Sequence, residues 1–162
     1  MNEVIVKYKN FTKWLETIKR MPEEYWLVEI KEGKWSVGEI VSHIKAWDNF
    51  VWNERVEYFI NGTELTNKNF DPEEINKNAA DEARSGISKN ELIHEVVECR
   101  FFVAKMLEEV PAPIWERKIE LGKGVVTLSE YIEGLVEHDQ HHQSQIEEFL
   151  LFKGIDIHKQ EV

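Results

Sequence analysis

Residues 127–154 read TLSEYIEGLVEHDQHHQSQIEEFLLFKG and decide the fold of this chain. Thr127 and Glu130 have the spacing of a capping box, in which the hydroxyl accepts from an amide of the first turn and the glutamate reaches back to the cap amide. Apolar residues then recur at helical spacing as far as Gly154, and glycine commonly follows the end of a helix. The pattern predicts one amphipathic helix over residues 128–153.

Two further capping boxes lie upstream, and each leads into an apolar pattern of helical period. They are Ser36-Val-Gly-Glu39 and Ser88-Lys-Asn-Glu91. Asn61-Gly62 has the residue types that end a helix and is the predicted end of the second one. The four predicted helices cover residues 2–20, 37–60, 89–109 and 128–153. Four long amphipathic helices imply an all-α protein with the architecture of a four-helix bundle.

The connections between the predicted helices are unequal in length. A polar stretch over residues 61–87 separates the second helix from the third, and Asp71-Pro72 within it is typical of the start of a short extra helix. Such a long connection permits a crossover, so the order of helix directions stays open. Residues 115–126 are predicted to be extended or to form a hairpin around Gly122-Lys-Gly124. No linker or repeat divides the chain, so we expect a single domain over residues 1–162.

The composition narrows the class of function. The formal net charge is −11, and no dense cluster of Lys and Arg offsets it, so we expect no nucleic-acid partner. A run of about 18 apolar residues is absent, so we expect no membrane partner. The single cysteine, Cys99, cannot form an internal disulfide, and the N-terminus does not resemble a signal peptide. Both features favour a cytoplasmic protein.

Two histidines of the fourth predicted helix share one face. Positions four apart differ by about 40° around a helix, so His138 and His142 project together toward the apolar side. His141 lies about 60° from His138, at the edge of the polar face, and is expected to be a neighbour of the pair rather than a ligand. The apolar residues of the shared stripe are Tyr131, Leu135, Ile146 and Phe149.

The second predicted helix carries one histidine, His43, on its apolar face. A buried imidazole needs a partner for each ring nitrogen, so His43 is either an ordinary core residue or a ligand between facing helices. If the second helix faces the fourth, His43 can join His138 and His142 as a third nitrogen ligand. Neutral imidazole suits Zn, Ni, Cu or Fe, and three ligands leave a position open for water or substrate. Gln145, almost one turn after His142, is then expected to support that ring.

The other histidines and the cysteine provide contrasts. His94 points away from the apolar face of the third predicted helix, and His158 lies beyond Gly154, so both are expected to be exposed. Cys99 points inward and is expected to be a small buried residue without a nucleophilic role. The H-E-x-x-H motif is absent, and the one Glu-x-x-His spacing, Glu91 to His94, faces outward. A zinc protease helix and a di-iron bundle are therefore not expected.

Two segments resemble the DinB superfamily, which includes a YfiT-like group described as metal-dependent hydrolases. Residues 34–44, KWSVGEIVSHI, resemble the Trp-Ser opening of the family's second helix, and residues 138–146, HDQHHQSQI, resemble its fourth helix. The resemblance implies an up-down-down-up bundle that is often a homodimer. It also implies a metal triad with one histidine from the second helix and two from the fourth, which are His43, His138 and His142 here.

The resemblance implies metal-dependent chemistry on a small-molecule substrate. Relatives of this fold include S-transferases that use bacillithiol or mycothiol and a thiol-dependent maleylpyruvate isomerase. We therefore expect a divalent ion, Zn or Ni, to activate a low-molecular-weight thiol that attacks small electrophiles in detoxification or stress response. One alternative is a hydrolase that uses metal-activated water. Another is a non-catalytic metal-binding dimer, whose interface would use the aromatic residues Trp47, Trp52 and Tyr58, although core packing is the more usual role of such residues.

Overall fold

The structure, a computed structural model, describes residues 2–61 and 71–159. Its elements in chain order are α1 (Glu3–Ile18), a 3-10 turn (Glu23–Tyr25), α2 (Val37–Val51), a π-helical turn (Trp52–Val56), α3 (Glu57–Asn61), α4 (Pro72–Ala83), α5 (Lys89–Glu108), α6 (Ala112–Trp115), β1 (Ile119–Leu121), β2 (Gly124–Val126) and α7 (Leu128–Phe152). No helix within the described ranges combines the length and the apolarity that crossing a membrane requires.

The four predicted helices correspond to α1, α2 with its extension to Asn61, α5 and α7. The predicted extra helix is α4, and the predicted hairpin is the antiparallel pair of β1 and β2. The second helix contains a π-helical turn that the sequence pattern did not predict. Gly62, the second residue of its predicted end, and the rest of residues 62–70 lie outside the described residues. The expected all-α four-helix bundle is confirmed.

Two of the three predicted capping boxes form completely. The Ser36 hydroxyl accepts from the Glu39 amide at 3.2 Å, and the Glu39 carboxylate accepts from the Ser36 amide at 2.7 Å. Thr127 makes the same reciprocal pair at the start of α7. At the start of α5 the Ser88 hydroxyl accepts from the Glu91 amide, but within the described contacts the Glu91 carboxylate makes no return bond. That glutamate is exposed, so water can solvate it instead.

Contacts between the long helices establish the direction of each one. They are Lys7–Glu133 and Trp14–Glu147 between α1 and α7, Lys45–Glu95 and Asp48–Arg100 between α2 and α5, and Lys9–Phe101 and Lys19–Lys89 between α1 and α5. In the first two pairs of helices the residue numbers rise together, so those helices run parallel. In the third they run in opposite senses. The order is therefore up-down-down-up, and the connection through α4 provides the crossover between the parallel α2 and α5.

The core has two apolar clusters with buried charged side chains between them. One cluster includes Ile18, Ile40, Leu92 and Ile146, and the other includes Val56, Phe59, Leu107 and Ile132. Between them lie Asp48, Arg100 and Asp139, which are 4%, 1% and 4% exposed. Charged side chains are rarely buried so deeply unless they are paired. We call these three residues, with Tyr8, the polar layer.

The aromatic residues considered for a dimer interface make contacts within the chain. Trp47, Trp52 and Tyr58 are half-buried rather than exposed. Trp47 donates to Asn76 of α4 at 2.8 Å, and Trp52 packs edge-on against Phe102 of α5. Trp47 and Trp52 are therefore partly covered by α4 and α5 and are not the fully exposed residues that the sequence suggested. A homodimer, with or without these side chains at its interface, stays a prediction.

Candidate metal centre

Three imidazole rings meet where α2 faces α7. His43 Nε2 lies 3.4 Å from His138 Nε2, and His142 Nε2 lies 3.1 Å from the same atom. The three potential ligand atoms all lie within 4.8 Å of one another. His138 and His142 lie on the same face of α7, as their spacing predicted. α2 runs antiparallel to α7 and places His43 beside them.

Asn76 of α4 determines which nitrogen of His43 carries the proton. Its Oδ1 atom lies 2.8 Å from Trp47 Nε1 and 2.9 Å from His43 Nδ1. An indole N–H can only donate, so the Asn76 atom that faces it must be the oxygen. The same oxygen accepts from His43 Nδ1, which therefore carries the ring proton. The lone pair of His43 Nε2 is left directed at the other two rings.

Gln145 supports His142 in a similar way. Its Oε1 atom lies 2.9 Å from His142 Nδ1, and an amide oxygen can only accept, so Nδ1 is the protonated nitrogen. This contact of Gln145 was expected from the sequence. Hydrogen bonds of this kind orient metal-binding imidazoles and select their tautomer. Two of the three rings therefore hold their protons away from the point that they share.

Burial favours the neutral form of all three rings. Burial is the main influence and lowers the pKa of His43 and that of His142 to about 4, from 6.5. Burial also lowers the pKa of His138. The closeness of the rings acts in the same direction, because a charge on one imidazole would repel a charge on the next. Neutral imidazole is the form that binds metal ions, so these rings need not lose a proton first.

The spacing of the nitrogens fits a first-row divalent ion. Zn–N bonds of about 2.0–2.1 Å at tetrahedral angles imply N···N separations of about 3.3–3.4 Å, close to the observed 3.1 and 3.4 Å. At most one proton, on His138 Nε2, can lie among the three atoms, so at least one lone pair receives no hydrogen bond from the other two rings. Native proteins rarely leave buried polar atoms in that state. The donor set therefore suits a cation.

The three rings are not equally buried. His43 and His142 are 6% and 7% exposed, whereas His138 is half-buried. The Trp35 ring lies 4.9 Å from the His43 ring and covers it. Within the described residues no fourth His, Cys, Asp or Glu belongs to the group. Three protein ligands and an accessible side are typical of catalytic rather than structural zinc sites.

The remaining histidines and the cysteine lie apart from the three converging nitrogens. His94 and His158 are exposed, as predicted, and His141, which was expected at the edge of the polar face, is exposed as well. Cys99 is half-buried rather than fully inside, and its Sγ donates to Asn49 Oδ1 at 3.2 Å. Burial raises the pKa of the Cys99 thiol to about 11. A thiol with this pKa is a poor nucleophile at neutral pH, which agrees with the expectation that it has no such role.

The polar layer lies beside the three rings and was not predicted from the sequence. Arg100 donates to both oxygens of Asp48 at 2.8 and 3.0 Å and to both oxygens of Asp139 at 2.6 and 3.1 Å. It also donates to the Tyr8 carbonyl at 3.0 Å, so all five guanidinium N–H groups are used. A sign was present, because Asp139 and Arg100 each occupy a core position of their helix.

The buried stripe of α7 is shifted relative to the predicted one. Tyr131 and Leu135 are half-buried, and the buried positions include Ile132, Val136 and Asp139. The half-buried His138 therefore lies at the edge of the stripe rather than at its centre. This shift leaves one ring of the cluster accessible.

Comparisons with known proteins agree with this architecture. The family model described as the DinB superfamily matches residues 8–146, a range that includes all three converging histidines. Among solved structures, YfiT from Bacillus subtilis is similar, with a TM-score of 0.74 and 16% sequence identity. The alignment covers 95% of this chain and 87% of that chain, which is described as a probable metal-dependent hydrolase with an unusual four-helix bundle topology. At this identity the likeness shows the fold. No curated protein matches the chain.

Proposed function

Because the chain belongs to the DinB superfamily, we propose that it is a metal-dependent enzyme that binds one divalent ion through His43, His138 and His142. The observation that carries the proposal is the convergence of three neutral rings, two of them with the proton on Nδ1. Imidazole nitrogens suit Zn or Ni. The accessible side at His138 supports a catalytic role rather than a purely structural one.

The reaction that we propose is the transfer of a low-molecular-weight thiol to a small electrophile, in detoxification or stress response. A divalent ion in this site would lower the pKa of a bound thiol, so that the thiolate is present at neutral pH. Asn76 and Gln145 would hold two rings in the ligand tautomer, and Trp35 would shield His43 from water. The thiol must come from another molecule, because Cys99 is the only cysteine of the chain and is held protonated.

Hydrolysis is the second candidate reaction. The description of YfiT as a probable metal-dependent hydrolase favours it, and an open coordination position can take water as readily as a thiol. A bound divalent ion would lower the pKa of that water. The two reactions differ in one requirement, since hydrolysis needs no added thiol.

Metal content tests the ligand assignment. We expect about one ion per chain in untagged wild-type protein, and almost none in His43→Ala or His142→Ala, because two nitrogen ligands hold a divalent ion much less tightly than three. His141→Ala is the matched control, since this exposed ring adjoins His142 at 5.3 Å between ring centroids. Equal stoichiometry in all four proteins would show that the three rings are not the ligands.

Turnover assays distinguish the candidate reactions. Metal-loaded protein is incubated with monochlorobimane and, in turn, bacillithiol, mycothiol, glutathione or coenzyme A, and in parallel with esters and amides without thiol. Thiol-dependent adduct formation that disappears in His142→Ala supports S-transfer. Thiol-independent hydrolysis that disappears in the same variant supports the hydrolase. Metal binding with neither activity would favour a non-catalytic metal-binding protein.

A further inference from the structure

The polar layer links the two helices that carry the converging histidines. Arg100 lies on α5, which contributes no ring to the cluster. Its planar guanidinium makes two hydrogen bonds to Asp48 on α2 and two to Asp139 on α7. Asp48 follows His43 by little more than one turn, and Asp139 adjoins His138. A single side chain thus joins both ligand-bearing helices at the level of the rings.

A link of this kind is needed because the rings themselves hold α2 and α7 together poorly. α2 packs chiefly on α4 and α5, whereas α7 packs chiefly on α1. α2 and α7 approach each other directly in only a few places, and the contact between the His43 and His138 rings is one of them. Since at most one proton lies among their facing nitrogens, the lone pairs repel one another until a cation binds.

We propose that Arg100 is a positioning residue that holds α2 and α7 at the separation a divalent ion requires before the ion binds. The inference rests on the proposed metal site. A guanidinium that makes two-point contacts sets the orientation of each carboxylate as well as its distance. The two carboxylates in turn set the rotation and height of the helix segments that present His43 and His138.

Tyr8 holds the guanidinium in place from the side of α1. Its hydroxyl donates to Asp48 Oδ1 at 2.8 Å, and its carbonyl accepts from Arg100 Nη1 at 3.0 Å. The guanidinium carbon of Arg100 also lies 3.9 Å from the centre of the Tyr8 ring. With its five donors used and a ring against its face, Arg100 has one well-defined position. That rigidity is what a residue that sets a distance between helices must have.

The test measures affinity for Zn²⁺ and for Co²⁺ by competition with a chromophoric chelator, together with the visible absorption of bound Co²⁺. One variant combines Asp48→Leu, Arg100→Met and Asp139→Leu, since apolar replacement of a whole buried ion cluster is often tolerated. A second, Arg100→Lys, keeps the charge but loses the fork. The matched control is Lys89→Met, because Lys89 is also buried at 5% exposure but links α5 to α1 away from the rings, donating to Lys19 O at 2.8 Å.

We expect the triple variant and Arg100→Lys to bind both ions about tenfold to a hundredfold more weakly while far-UV circular dichroism stays helical. Lys89→Met should stay within about twofold of the wild type, and its Co²⁺ spectrum should be unchanged. Wild-type affinity in both Arg100 variants, or an equal loss in Lys89→Met, would overturn the positioning role and leave the metal site standing. A wild-type protein that binds neither ion would overturn the proposed function itself, and the positioning role with it.

Discussion

Two buried polar groups lie side by side between α2 and α7, and they differ in how completely their atoms are paired. In the polar layer, all five donors of Arg100 and all four carboxylate oxygens of Asp48 and Asp139 have partners. Among the three histidines, at most one proton serves three facing nitrogens. A fully paired buried network gives rigidity, whereas buried lone pairs without donors leave room for a ligand. The polar layer therefore has the properties of a structural group, and the three histidines beside it have those of a binding group.

Breaking the paired group should have the largest effect. Arg100→Met leaves Asp48 and Asp139 buried without their cation, so we expect it to lower the free energy of unfolding by about 3–5 kcal/mol. Urea denaturation of metal-free protein at pH 7 measures the change. Lys7→Met removes the exposed ion pair with Glu133 and should change stability by less than about 1 kcal/mol. An equally small change in stability for Arg100→Met would mean that the buried polar layer contributes no more than an exposed ion pair.

Acid should act on the histidine cluster in the metal-free protein. Because the pKa of His43 and that of His142 are lowered to about 4, the unfolded chain binds protons between about pH 6.5 and 4 that the native chain does not. Stability is therefore complete above about pH 6.5 and is lost as the pH falls toward 4, by about 3 kcal/mol for one ring.

The difference in stability between the wild type and His142→Gln, followed from pH 7.5 to 4.5, isolates this contribution from other titrating groups. The difference between the wild type and His94→Gln serves as the control, because His94 is exposed. If the His142→Gln difference did not change between pH 7.5 and 4.5, the rings would not be held neutral by burial.

A divalent ion bound by the three histidines should stabilise the folded protein. A divalent ion at about one hundred times its Kd should raise the free energy of unfolding by about 2.7 kcal/mol. The gain should disappear in His43→Ala and persist in His141→Ala, whose ring is exposed beside the cluster. Thermal or urea unfolding with and without Zn²⁺ measures it. Equal stabilisation of His43→Ala would place the ion elsewhere in the chain.

Asn76 tests the same difference within a single ring. It accepts a hydrogen bond from His43 Nδ1 and leaves the lone pair of His43 Nε2 available to a metal ion. Asn76→Ala removes the acceptor that selects the tautomer, so we expect affinity for Zn²⁺ to fall about tenfold, or about 1.4 kcal/mol. Trp47→Phe should weaken binding in the same direction, because the amide of Asn76 loses the donor that orients it. Asn78→Ala, at an exposed position of the same helix, is the control, and an equal loss there would contradict the role of Asn76.

Local patterns predicted most of the fold. Capping residues and helical period located α1, α2, α5 and α7 because both depend on neighbours within a few residues. The up-down-down-up order came from the family resemblance, since periodicity carries no information on which helices run parallel. The π-helical turn at Trp52–Val56 was missed because a single wide turn barely changes the period of a long apolar stripe.

In the candidate site, too, local spacing predicted the contacts within one helix but not those between helices. Helical phase selected His138 and His142 over His141, because the three lie on one helix. The link to His43 required the resemblance, as it depends on two helices that are distant in sequence. The contact of Asn76 depends on how α4 packs against α2, and that of Arg100 on α5, so neither could be predicted from spacing. Charged residues at core positions were the available sign of the polar layer.

Cys99 should have the smallest effect, although it lies near the polar layer. Burial is the main cause that raises the pKa of its thiol to about 11, and the negative charge of Asp48 adds to it. Cys99→Ser keeps a donor for Asn49, so we expect a change in stability within about 1 kcal/mol, and unchanged metal content and turnover. Loss of thiol-dependent turnover in this variant would mean that the nucleophile belongs to the chain. In that case the three histidines alone would not account for the chemistry. The site would then include a residue that lies beside the polar layer, and the separation of a structural group from a binding group would no longer hold.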